Sequence, residues 1–67
     1  MSVARITEIS ADSSKSFDDA LKQGISRANK TLKNVKSAWI ADQEVSLDSN
    51  GKIKTYKVRL KVTFVLK

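Results

Sequence analysis

Asp42 and Glu44 stand two residues apart in "IADQEV", inside a stretch that reads as a strand. Side chains two apart on a strand share a face. The two carboxylates can therefore offer oxygen ligands together, which suits a hard cation such as calcium. The plainer role is a solvated acidic edge paired with lysines. Three residues upstream, Trp39 is the single tryptophan of the chain. Downstream, "KVRLK" places Lys57, Arg59 and Lys61 on one strand face. Aromatic and basic side chains on one sheet face can hold single-stranded nucleic acid. One aromatic is a thin platform for that, because such modules stack two or three bases. The plainer role for Trp39 is packing at a subunit interface.

Composition narrows the chemistry. The 67 residues include no His, Cys or Pro. Zinc and most transition metals lose their usual ligands, and disulfides are excluded. No serine has a recognisable base beside it, so nucleophilic catalysis is not expected. "DSNG" at 48–51 lacks the spaced ligands and closing Glu of a calcium loop and reads as a turn. Thirteen Lys and Arg against seven Asp and Glu give a net charge of +6. That balance admits an anionic partner, or simply a solvated basic surface. No apolar run approaches the ~20 residues of a membrane span, so a soluble, cytoplasmic chain is expected.

These residues need elements to position them, and one domain over 1–67 is expected. "VARITEI" at 3–9 reads as a strand, with Ile6 and Ala4 inward and Arg5 and Thr7 outward. Small polar residues follow, with Ser13 the expected helix N-cap. Phe17, Ala20, Leu21, Ile25, Ala28, Leu32 and Val35 recur at three- and four-residue steps, predicting a helix to about residue 34. Gly24 on that stripe costs roughly 1 kcal/mol against Ala, which implies close packing there. Strands follow at 37–47 and 53–66, joined by a turn with Gly51 at positive φ. In the third strand Tyr56, Val58, Leu60, Val62, Phe64 and Leu66 form one face, and the basic residues lie on the other.

The order is β-α-β-β, an α+β class. A strand–helix–strand crossover favours parallel strands, so the third strand fits between the first two, antiparallel to both. Its fourteen residues span ~46 Å at about 3.3 Å each. A compact chain of this length has a radius of gyration of roughly 11 Å. The strand must therefore curl or project, and a projecting strand has edges that need cover. A small core of this size also needs added support. Both considerations predict self-association.

"RANKTL" at 27–32 and "TYKVRLKVTFVL" at 55–66 resemble the dodecin family, and the likeness extends over the whole chain in length, element order and pattern. The resemblance implies a three-stranded antiparallel sheet wrapped on one helix, assembled as a hollow homododecamer. Many dodecins bind flavin between subunits. Their ring-stacking Trp lies six residues after the Thr of the helix motif, which here is Ser37. Their flavin-binding Gln follows the Tyr of the third strand, which here is Lys57. Trp39 lies on the same strand face as Ser37, ~7 Å further along. Of the Gly-Thr-Ser that precedes the helix in many members, Ser13 remains beside Ala11 and Asp12.

The resemblance thus implies a non-enzymatic protein that binds and sequesters a small ligand or ion, closer to the dodecins that lack the flavin residues and have been connected with calcium or have no assigned ligand. Ser37, Trp39, Gln43 and Lys57 form the candidate cofactor-binding set, and Asp42 and Glu44 the candidate metal pair. Flavin binding through Trp39 and Lys57 is the alternative. A basic nucleic-acid-binding module is the alternative from another class.

Overall fold

The computed structural model describes residues 3–66. Its elements are β1 (Val3–Ser13), α1 (Phe17–Thr31), β2 (Val35–Leu47) and β3 (Ile53–Leu66). The sheet order is β1-β3-β2, with β3 antiparallel to both neighbours. The β-α-β-β order and the central third strand are as the sequence predicts. The subunit is elongated, 52 × 19 × 14 Å, with a radius of gyration of 13.9 Å. A compact chain of this length would have roughly 11 Å, so β3 does project.

The helix lies on one face of the sheet through its smallest residues. Ala20, Gly24 and Ala28 are buried, four apart on one line. Beneath them Val58, Leu60 and Val62 are fully buried. A Cβ on Gly24 would lie 2.8 Å from Cδ1 of Leu60 and 3.3 Å from Cβ of Ala11. Gly24 is therefore the point of closest approach, as its place on the stripe implied. Ile9, Leu21, Leu32, Val35 and Ala38 surround this centre. Phe17 and Tyr56 close one end edge-to-face, with centroids 5.1 Å apart.

Four sequence expectations shift. The helix is capped by Ser16, not Ser13: the Ser16 hydroxyl accepts from the Asp19 N–H at 3.0 Å. Ser13 instead ends β1, which runs to 13 rather than 9 because Ala11, Asp12 and Ser13 pair with Val58, Lys57 and Tyr56. The helix stops at Thr31, and Asn34 turns the chain at φ 60°. Asn tolerates that left-handed conformation better than most residues. The faces of β1 are also inverted. Ile6 lies opposite Thr63 and is 56% exposed, whereas Thr7, Ile9 and Ala11 lie opposite Val62, Leu60 and Val58. A one-residue change of register exchanges the faces of a whole strand, and burial of Ile9 and Ala11 outweighs burial of Ile6.

Ser13 is nearly buried. It accepts from the Lys15 N–H at 2.9 Å and donates to Asp19 Oδ2 at 2.6 Å, and Gln23 donates to the same oxygen. These bonds to Ser13 and Gln23, with the charges of Lys15 and Lys22, hold the Asp19 carboxyl below its ordinary value of 3.8. A carboxylate of lowered pKa is a poor base, so this pair ties the helix start to β1 and does not activate the serine.

Two measurements test this packing. Gly24→Ala gains about 1 kcal/mol of helix propensity, but overpacking against buried Leu60 costs about 1–3 kcal/mol. The variant is expected to unfold at lower denaturant than wild type at equal protein concentration; equal or higher resistance contradicts the close contact. Asp19 is more acidic folded than unfolded, so its stabilisation is present above about pH 4 and fades as pH falls through the folded value. Asp19→Asn should lower Tm at pH 7, with the gap to wild type closing toward pH 2.

Candidate functional site

Strand register assigns every residue of the sheet face opposite the helix. Residues paired across antiparallel strands point to the same side. Along β3 that face carries Lys57, Arg59, Lys61 and Thr63. Facing them from β1 are Asp12, Ser10, Glu8 and Ile6. From β2 they meet Glu44, Asp42, Trp39 and Ser37.

One irregularity builds the site. Trp39 pairs with Lys61 and Ile40 with Leu60, but Asp42, not Ala41, pairs with Arg59. Ala41 is the extra residue of a β-bulge. Strict alternation would put Asp42 and Glu44 on the face away from Trp39. The bulge returns both carboxylates to the tryptophan side, across from the basic row of β3. It places Gln43 opposite Val58.

The row is balanced by ion pairs. Arg59 bonds Asp42 through its Nη2 and lies 3.7 Å from Glu8. Lys57 lies 3.8 Å from Glu44. All these side chains are roughly half exposed or more, so each pair is worth about 0–1 kcal/mol. Their consequence is charge balance: Asp42 and Glu44 are not free anions, and Arg59 and Lys57 are not free cations.

Ser10, Asp42, Gln43, Glu44, Lys57 and Arg59 line an open recess of about 450 Å³. Of the candidate residues, the structure thus brings Asp42, Glu44 and Lys57 together on this face, whereas Gln43 borders the recess but is turned to the helix side by its pairing with Val58, because the bulge inverts the alternation after Ile40. Ser37 and Trp39 lie outside that lining, in the next rows along β2. Trp39 is 45% exposed. Lys57 is four residues from Lys61, the partner of Trp39, or ~13 Å along β3. A ring on Trp39 therefore meets the Arg59–Asp42 row before Lys57. Sequence reasoning missed Ser10 and the pairing role of Arg59. No pattern in β1 could reveal them, because Ser10 meets Arg59 only through long-range register.

Calcium requires six to eight oxygen ligands. Among the described residues no three His, Cys, Asp or Glu gather as a metal cluster, and both candidate carboxylates already face cations. The recess of one subunit does not by itself fit calcium.

The dodecin family model matches residues 3–67. The chain belongs to the dodecin family. Calcium dodecin of Mycobacterium tuberculosis is 31% identical over 67 residues, all of this chain and 93% of that one. Dodecin from Streptomyces davaonensis superposes with a TM-score of 0.91 at 32% identity, covering 98% of this chain and 96% of that chain. The structure of the M. tuberculosis calcium dodecin, described as having a novel calcium-binding site, superposes with a TM-score of 0.84 at 30% identity over 98% and 93%. The three-stranded antiparallel sheet on one helix is thus the dodecin subunit fold, and dodecamer assembly is known for the family. Dodecins are small binding proteins. No helix among the described residues is long and apolar enough to cross a membrane.

Arg59→Ala tests the charge arrangement. It should cost at most about 1 kcal/mol in denaturant unfolding. It also removes the shared counter-ion of Glu8 and Asp42, so calcium titration should show tighter binding than wild type. Unchanged calcium heat would show that Arg59 does not hold these carboxylates in check.

Proposed function

We propose that this dodecin works as a hollow homododecamer that binds and sequesters a small ligand or ion without turnover. The observation that carries this is the recess between Arg59, Lys57, Asp42 and Glu44, beside half-exposed Trp39. It offers donors and acceptors next to an aromatic face that is about half exposed in the subunit. Assembly follows from the same geometry. β1 and β2 are both edge strands, and Val45, Leu47 and Ile53 are exposed on the hairpin arm. Such edges and apolar surfaces need cover.

Two ligand classes have support. The exposed Trp39 favours a planar polar ring such as flavin, stacked on the indole with its edge toward the Arg59–Asp42 row. The calcium dodecin relative favours calcium. Because one subunit supplies two paired carboxylates, a calcium site on Asp42 and Glu44 needs further oxygens, from water or from a second subunit. Nucleic acid on the β3 face loses support, because two of its three cations, Lys57 and Arg59, are paired with carboxylates.

Native purification tests the proposal. Light scattering should give about twelve times the 7.4 kDa subunit mass. The assembly should either quench riboflavin fluorescence, with Trp39→Ala abolishing the effect, or take up calcium, with the Asp42→Asn, Glu44→Gln double variant abolishing the heat. A monomer at low micromolar concentration that does neither refutes it.

A further inference from the structure

Part of the chain's positive charge lies on the outer side of the helix and just beyond its end. Between Asp19 and Asp42 the chain carries Lys22, Arg27, Lys30, Lys33 and Lys36 and no carboxylate. None of these five takes part in an ion pair among the described residues, where all three ion pairs lie on the sheet face. Lys22, Ser26 and Lys30 follow at four-residue steps, one line on the exposed side of α1, with Gln23 and Arg27 beside it. These five residues line a shallow groove of about 420 Å³. Asp18 heads the same line one turn before Lys22 without forming an ion pair with it, and Lys22 also bears on Asp19, so the uncompensated part of the row is its Arg27–Lys30 end. Asp19 accepts from Ser13 and Gln23. Asp12 shares the adjoining groove with Arg27 but is not within ion-pair distance of it.

We infer that this outer face of α1 is a sequence-independent docking surface for the phosphodiester backbone of nucleic acid. From Lys22 to Lys30 the row runs ~12 Å along the helix at 1.5 Å per residue. A single phosphate meets one end of such a row; a repeating anion meets all of it. Lys, Arg, Ser and Gln are the side chains that contact nucleic-acid phosphates. A lipid surface fits less well. A membrane-lying helix needs an apolar face for the bilayer, and the apolar face of α1 is already turned onto Val58, Leu60 and Val62. Repetition of the surface in an oligomer would add avidity.

The test is fluorescence anisotropy of the full-length protein with a random-sequence 30-base-pair DNA duplex from 50 to 200 mM salt. The affinity should fall linearly on a log–log plot. The Lys22→Gln, Arg27→Gln, Lys30→Gln variant should bind at least tenfold more weakly at 50 mM salt. Its salt slope should be shallower by about 2.7, three contacts at about 0.9 each. The sheet variant Lys52→Gln with Lys54→Gln, at the hairpin and in no ion pair among the described residues, should keep the wild-type salt slope. Circular dichroism and light scattering monitor folding; if the triple variant fails to fold, Lys22→Gln and Lys30→Gln alone should each lower the slope by about one. Undiminished binding in the helix variants, equal loss in the sheet variant, or preference for phosphatidylglycerol vesicles over duplex overturns the inference.

Discussion

The fold depends on how closely α1 can approach β3. Ala20, Gly24 and Ala28 bring the helix backbone down onto Val58, Leu60 and Val62, and Leu60 occupies the space a side chain on Gly24 would need. A core made from so few residues has no slack, since interiors are packed to near-crystalline density. That contact fixes which face of β3 is dry, and pairing then fixes the faces of β1 and β2. Ile6 is turned outward for this reason: the strand must bury Ile9 and Ala11 beneath the helix, and alternation leaves Ile6 on the other side.

Once one face of β3 is dry, its alternate residues must be wet, and these are Lys57, Arg59 and Lys61. On their own they would make a strongly basic stripe. Their partners are Asp12, Glu8 and Glu44, with Asp42 joined through the bulge. Opposite charges across strands contribute little stability when exposed, but they set the electrostatic character of each side. The sheet face is a mixed, balanced surface suited to a polar ligand. Lys22, Arg27 and Lys30 on the outer side of α1 take part in no ion pair among the described residues. A net charge of +6 is thus a poor guide to which surface is basic.

The projecting hairpin connects subunit to assembly. Asp48 accepts the N–H groups of Asn50 and Lys52, and Gly51 takes φ +79°, so the turn is tightly made. The arm behind it is well paired yet uncovered on the helix side, with Leu47 and Ile53 more than half exposed. A 15-residue helix is ~22 Å long at 1.5 Å per residue, and it cannot cover a subunit 52 Å in extent. The rest of the sheet is left for a neighbour, which agrees with a family of closed oligomers.

Element types, their order, the central position of β3 and its two faces were legible in the sequence, because alternation over fourteen residues and a small-residue helical stripe are local signals. The likeness to dodecins was legible for the same reason. Boundaries were less so. Ser13 reads as the helix cap in sequence, but pairing of Ala11 through Ser13 with β3 extends the strand and leaves the cap to Ser16. The site was legible only in its membership. Asp42, Glu44, Trp39 and Lys57 could be singled out by type, yet strict alternation separates Trp39 from Asp42. A bulge at Ala41 puts them on one face, and the register of β1 adds Ser10 and Glu8. Side-chain alternation is a property of a single strand and can be read along the chain. Register and bulges are set by which strand lies alongside and by what the helix must bury, and these contacts exist only in the folded subunit.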